Sequence, residues 1–292
     1  MGGVVLTAII SIDSLTKQYG DKIVLNGISF TIEHGEVFAL IGTNGAGKTT
    51  ALECIEGLRE YSGTIEVHGK MGVQLQSTSL PENIKTKEAL KLFAKWNGTT
   101  IDTGLIQRLN LEPIMNKKYK ELSTGQKRRL HLVLAMVGDP DIVFLDEPTA
   151  GLDVEGRVAL HEEIRALKKR GKTIILTSHD MVEVEELCDR LAILKKGQIG
   201  FIGTVYEFTE KKNDTYIMHL KLANLVNSNA LLACTYLGEQ QGYQLFETKK
   251  LEEGLYELTS VIRAEKNTIY DLKIEQTSLE KRFMDLAREE VL

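Results

Sequence analysis

FALIGTNGAGKTTAL occupies residues 38–52, and the rest of the chain is arranged around it. Residues 38–41 form a short apolar run, as expected for a buried strand. Gly42, Thr43, Asn44, Gly45, Ala46, Gly47, Lys48 and Thr49 then fit G-x-x-x-x-G-K-[ST] at every fixed position. Ala51, Leu52 and Ile55 follow at helical spacing. A glycine-rich turn alone matches such a pattern by chance; the strand before it and the helix after it supply the context that gives it meaning. Glycines let the backbone curl so that successive N–H groups point inward at phosphate oxygens. The following helix adds the positive end of its dipole. In this arrangement Lys48 reaches the β- and γ-phosphates of a nucleotide, and the Thr49 hydroxyl ligates Mg²⁺.

Composition sets the frame. The chain has 292 residues, 42% hydrophobic and 26% charged, which is ordinary globular composition. A net charge of −5 argues against a dominant nucleic-acid footprint. Cys54, Cys188 and Cys234 are odd in number and widely spaced, so neither a zinc site nor a disulfide framework is indicated, and a reducing, cytoplasmic setting fits. No run approaches the roughly 20 apolar residues of a membrane span. Residues 4–12 are apolar-rich but short and lack a basic leader region, unlike a secretory signal.

Upstream of the phosphate loop, residues 8–15 and 23–32 read as strands joined by a turn at Tyr19-Gly20-Asp21. Tyr19 is either an ordinary core or surface aromatic or a platform for a flat ring. Downstream, residues 63–67 and the stretch ending in MGVQLQ read as strands. A glutamine there, Gln74 or Gln76, is either a solvated loop amide or a ligand for Mg²⁺ or a water near the γ-phosphate. Residues 88–96 and 103–109 carry helical periodicity. Ser123 then N-caps a helix with Leu130, Val133, Leu134 and Val137 on one face, ended by Gly138 and Pro140. Ser123 with the free amide of Gly125 could equally form an anion site.

Residues 142–145 (IVFL) form a fully apolar strand that runs into Asp146 and Glu147. One carboxylate there suits an Mg²⁺ shell and the other a general base acting on water. A helix runs to residue 170, and a second apolar strand, 173–177, ends in Ser178-His179-Asp180. Ligands gather at the carboxyl edge of such parallel sheets. Residues 191–194 and 198–202 make a hairpin. Near residue 210 the character changes: 216–222, 243–248, 255–261 and 269–274 read as short strands, and 224–237 and 278–288 as helices.

Taken together these residues resemble the nucleotide-binding subunit of an ATP-binding cassette (ABC) transporter. The resemblance covers roughly residues 8–208, with every family motif in order. Tyr19 matches the aromatic residue that stacks on adenine, and GTNGAGKTT, through Thr50, the phosphate loop. Gln76 matches the Q-loop glutamine, with Gln74 an alternative register. LSTGQ matches the signature usually written LSGGQ, so Ser123, Gly125 and Gln126 are candidate nucleotide contacts; Thr124 stands where glycine is usual. IVFLDE supplies the Mg²⁺-linked Asp146 and the catalytic Glu147, AGLD the D-loop, and His179 the switch histidine. The C-terminal TSLEKRFMDLA and the LSTGQKRRL stretch are similar to segments of bacterial drug- and antibiotic-exporter ATPases.

The resemblance implies an α/β fold of the ABC-type P-loop NTPase class, with an antiparallel β subdomain, a helical subdomain at about residues 80–138, and a small C-terminal α+β appendage at 210–292. It implies ATP and Mg²⁺ as ligands, with Gln76 shared between Mg²⁺ and the attacking water. It also implies a head-to-tail homodimer, or a pair with a homologue, each ATP lying between the phosphate loop of one subunit and the Ser123/Gly125 segment of the other. A separate transmembrane permease would hold the subunit at the cytoplasmic face of the membrane. Export of drugs or antibiotics is the expected task; an importer ATPase and a soluble assembly or mechanical ATPase share the cassette motifs.

Overall fold

Two long antiparallel strands open the described part of the chain, β1 (Ala8–Tyr19) and β2 (Lys22–Glu33). The computed structural model describes residues 8–74, 80–209, 216–226, 231–276 and 279–288. There follow β3 (Val37–Gly42), α1 (Lys48–Ile55), β4 (Ser62–Val67), β5 (Met71–Gln74), α2 (Thr86–Trp96), α3 (Thr103–Arg108) and α4 (Thr124–Met136). The unit is completed by β6 (Ile142–Asp146), α5 (Val154–Lys169), β7 (Thr173–Thr177), α6 (Met181–Leu187), β8 (Arg190–Lys195) and β9 (Gln198–Thr204). The chain divides into two compact units, Met1–Val205 and Tyr206–Leu292.

Two sheets build the first unit. The antiparallel sheet has the order β2-β1-β4, and the six-stranded sheet the order β5-β6-β7-β3-β8-β9. In the latter all pairs are parallel except β8 with β9. Every residue of β3, β6 and β7 is buried, which is why these strands are written almost wholly in Val, Ile, Leu and Phe: a parallel sheet is covered on both faces. β1 and β2 instead bury one side. Ile10, Ile12, Leu15, Leu25, Phe30 and Ile32 share a core cluster with Ala51, Leu52 and Ile55 of α1. Phe30 stacks on Phe38 with ring centroids 5.6 Å apart, joining the two sheets. α2, α3 and α4 occupy the stretch expected to be helical.

The register places chemistry at one edge. Asp146 is paired with Thr177, and Thr177 with Leu40. The carboxyl ends of β6, β7 and β3 are thus level, each strand about 4.8 Å from the next. β3 continues to Gly42, which pairs with Leu194 of β8. A Cβ at Gly42 would sit 2.4 Å from the Leu194 carbonyl oxygen, so only glycine fits where the strand leaves the sheet.

The second unit contains α7 (Val205–Thr209), which begins at the last residue of the first, then β10 (Tyr216–Leu222), β11 (Thr235–Gln240), β12 (Tyr243–Thr248), α8 (Leu251–Ala264), β13 (Ile269–Gln276) and α9 (Leu279–Arg288). Its antiparallel sheet runs β11-β12-β10-β13, and Met218, Leu220, Phe246, Leu258 and Ile262 form its core. Two sequence expectations fail here. Residues 255–261, read as a strand, lie inside α8: Leu251, Leu255, Leu258 and Ile262 recur at three and four and face the sheet core, and that period overrides the local alternation. The described part of 224–237, read as a helix, is extended or bent. Glu257 accepts the backbone N–H groups of Leu232, Ala233 and Cys234 (2.5, 2.8 and 3.0 Å), and Gln244 accepts that of Val226 (3.0 Å). Side chains from elsewhere take the donors a helix would need.

Candidate functional site

The loop between β3 and α1 turns through two left-handed glycines, Gly45 (φ 78°) and Gly47 (φ 108°). Gly47 is the N-cap of α1 and offers no side-chain cap to the first-turn N–H groups. A Cβ on Gly47 would meet Leu25 Cδ2 at 2.9 Å and the Val24 carbonyl oxygen at 3.0 Å, so the loop lies against β2. Ala46 N–H donates to the Thr43 carbonyl (3.1 Å) and closes the turn. Thr43, Asn44 and Gly45 are exposed, and Thr50 is half-buried in the first turn of α1. Lys48 is buried and curls back to donate to the carbonyls of Gly42 (2.8 Å) and Thr43 (3.3 Å). Burial pushes its ammonium below the ordinary lysine range, against the opposing pull of Glu147 and Asp146. An anion in the loop would give this desolvated charge a strong partner.

Asp146, at the end of β6, is the loop's neighbour. Thr49 Oγ1 donates to Asp146 Oδ2 (3.3 Å), and Thr177 Oγ1 donates to Asp146 Oδ1 (2.5 Å). One hydroxyl and one carboxylate beside a phosphate cradle fit Mg²⁺, which takes hard oxygen ligands and keeps positions for phosphate and water. Among the described residues no cluster of three His, Cys, Asp or Glu side chains could hold a metal alone. Thr177 is a residue that motif reading missed. It also accepts Glu147 N–H (3.0 Å), so one buried hydroxyl positions both acids. Its signal was a threonine closing the apolar run Ile174–Leu176 at the carboxyl edge.

Glu147 has φ 46°, a left-handed backbone that costs a non-glycine residue energy and persists only where surroundings enforce it. The Thr177 bond and a bond from Arg128 Nη1 to the Asp146 carbonyl (3.3 Å) supply that enforcement. His179 is 69% exposed, and its Nδ1 lies 3.7 Å from Glu147 Oε1, beyond hydrogen-bonding range. Gln76 lies outside the described residues. Gln74, the alternative register, is buried, and its Oε1 has no hydrogen-bond partner among the described residues.

Tyr19 ends β1 as a residue 43% exposed, with Lys17 Nζ 5.0 Å from its ring centroid. Ser123 caps α4 reciprocally with Gln126: the serine hydroxyl accepts Gln126 N–H (3.3 Å) and Gln126 Oε1 accepts Ser123 N–H (3.1 Å). A Cβ on Gly125 would lie 3.3 Å from the Gly151 carbonyl oxygen, and one on Gly151 would lie 3.3 Å from the Thr124 methyl. The segment 123–125 therefore packs against the AGLD turn of the same chain. Thr124 is accommodated there, at an exposed position.

Glu56, the C-cap of α1, is pushed up to about 7, first by burial and then by the charges of Asp146 and Glu53. A carboxyl raised in the folded state stabilises fully below its unfolded pKa near 4.5, and that contribution is lost as pH rises through 7. Calorimetric melting of Glu56→Gln should therefore show a smaller loss of Tm between pH 5 and 8 than wild type; parallel curves would remove Glu56 as the cause.

Comparison with known proteins agrees with this geometry. Residues 25–150 match the family model described as ABC transporter. An uncharacterized ABC transporter ATP-binding protein of Methanocaldococcus jannaschii is 41% identical over 224 residues, covering 74% of this chain and 85% of that protein. The Nod factor export ATP-binding protein I of Burkholderia lata is 40% identical over 204 residues, covering 63% and 67%. A solved structure of the ATP-binding subunit of an ABC transporter superposes with a TM-score of 0.66 at 28% identity, covering 70% of this chain and 92% of that one. The fold is thus that of an ABC-type P-loop NTPase, with its antiparallel and helical subdomains. The chain belongs to the ABC transporter ATP-binding proteins, the ATP-hydrolysing subunits of these transporters.

Proposed function

We propose that this ATPase energises an exporter, most plainly a multidrug or antibiotic efflux system, through ATP-driven closure of a dimer. The observation that carries the catalytic half is the shared carboxyl edge, where the phosphate loop, Asp146 and Glu147 meet around Thr49 and Thr177. Residues 42–50 would hold the phosphates, Tyr19 the adenine, and Thr49, Asp146 and Gln76 the Mg²⁺, which neutralises phosphate charge. Glu147 would accept a proton from the attacking water, with Gln76 and His179 beside the γ-phosphate. Ser123, Gly125 and Gln126 would meet the ATP of a second subunit. A γ-phosphate held between two helix N-termini draws the subunits together, and its loss releases them.

Residues 8–208 would form the nucleotide-binding domain and 210–292 an accessory domain. The membrane step would fall to a separate permease, with this chain peripheral on its cytoplasmic face; among the described residues no helix is long and apolar enough to cross a membrane. The exporter-like TSLEKRFMDLA tail and the likeness to a Nod factor export protein support the direction.

The test is capture of tagged Glu147→Gln from its native cells in detergent with ATP and Mg²⁺. A stoichiometric polytopic membrane protein with an exporter's sequence is the expected partner. A dimer without one, or bound to a soluble assembly, would overturn the transport reading, and an importer permease its direction.

A further inference from the structure

A buried carboxylate just behind the catalytic edge is absorbed by none of the roles above. Glu183, in the first turn of α6, is 2% exposed. A glutamate at this position commonly reaches back to the N-cap backbone N–H. Here the Ser178 hydroxyl takes that donor, accepting Asp180 N–H (3.0 Å), and Asp180 Oδ1 caps the helix through Val182 and Glu183 N–H (3.0 and 3.3 Å). The Glu183 carboxylate turns inward instead. Its Oε2 accepts from Ser178 Oγ (2.5 Å) and from Thr149 Oγ1 (3.2 Å). Ser178 immediately precedes His179. Thr149 follows Glu147 across Pro148, whose ring fixes the backbone between them. One oxygen atom therefore ties the turn that carries Glu147 to the turn that carries His179.

The other oxygen is poorly served. Glu183 Oε1 is buried without a hydrogen-bond partner among the described residues; His161 Nε2, 3.6 Å away, likewise has none among them. His161 Nδ1 faces Glu186 (3.4 Å), which Arg165 holds from the far side (3.3 Å). A half-satisfied buried carboxylate is a poor device for stability alone and calls for another explanation.

We propose that Glu183 is a positioning residue for ATP hydrolysis: through Thr149 and Ser178 it fixes the distance between Glu147 and His179 on the side away from the nucleotide. It touches no reacting atom. The proposal rests on the roles assigned above to Glu147 and His179. Its consequence is a split between chemistry and binding, because the phosphate loop belongs to β3 and α1.

The experiment measures kcat for ATP hydrolysis and the Kd for ATP on the full-length protein. Glu183→Ala should lower kcat at least tenfold and leave Kd within twofold. Glu183→Gln keeps an acceptor oxygen for both hydroxyls and should stay within threefold of wild type in kcat. The Thr149→Val/Ser178→Ala pair, which removes less volume, should reproduce the Glu183→Ala loss, and adding Glu183→Ala to it should cost little more. The proposal is overturned if Glu183→Ala or the hydroxyl pair turns over within twofold of wild type. It is also overturned if kcat and ATP affinity fall by the same factor, or if Gln is as poor as Ala. Glu147→Gln, run in parallel, separates the two layers: wild-type turnover there sinks the underlying catalytic assignment, whereas an inactive Glu147→Gln beside an active Glu183→Ala sinks only this one.

Discussion

Glu147→Gln should lower steady-state ATP turnover by about 10²–10⁴-fold, the range a positioned general base typically supplies, and should leave ATP affinity nearly unchanged. The substitution isolates chemistry because the position is set by the backbone. Residue 147 is held at φ 46° with its N–H on Thr177 Oγ1, and neither feature depends on the side-chain carboxylate. The amide has the same shape and cannot take a proton from water. Bound ATP then persists, so an ATP-dependent dimer should accumulate on size-exclusion chromatography in Mg²⁺ and ATP. Turnover equal to wild type would show that Glu147 is not the base. Conversely, Thr177→Val should lower turnover with the Glu147 carboxylate intact, because both the Asp146 and Glu147 bonds pass through that hydroxyl.

This pairing shows what a linear reading can and cannot reach. The strands around the site were legible because a parallel sheet covered on both faces admits almost only apolar residues, and β3, β6 and β7 are buried throughout and polar only at their ends. The turns that follow them carry short motifs whose spacing is fixed by the phosphate they surround. The contacts behind those turns have no such periodicity. Thr177 and Glu183 each act across thirty or more residues, and a lone threonine or a helical glutamate has no sequence mark until the fold brings its partners together. The left-handed backbone at Glu147 is equally silent, since glutamate is not a residue that advertises φ > 0.

The second unit was harder for a related reason. Its strands are short, its pattern is not tied to a ligand, and two side chains from distant positions decide its backbone. Glu257 and Gln244 claim the N–H groups of residues 226 and 232–234, which local propensity assigns to a helix. Local sequence and tertiary demand disagree there, and the tertiary demand prevails.

Lys48→Ala is expected to weaken ATP binding by about 10- to 100-fold, the equivalent of roughly 1.5–3 kcal/mol for a hydrogen bond to a charged group. The geometry makes the loss specific. The ammonium is buried and donates to the carbonyls of Gly42 and Thr43, and among the described residues it makes no direct ion pair. That burial lowers its pKa. A desolvated cation of this kind stabilises the empty protein little, so Lys48→Ala should melt within about 2 °C of wild type without nucleotide, a small shift on the scale of about 1 kcal/mol or less. ATP and Mg²⁺ added at a few times the wild-type Kd should raise the Tm of wild type and barely that of the variant, because ligand stabilisation grows as the logarithm of one plus concentration over Kd. Unchanged affinity would remove Lys48 from the phosphate site. A large fall in the nucleotide-free Tm would mean instead that the lysine is chiefly a structural brace for residues 42–43, its two hydrogen bonds outweighing the cost of burying the charge.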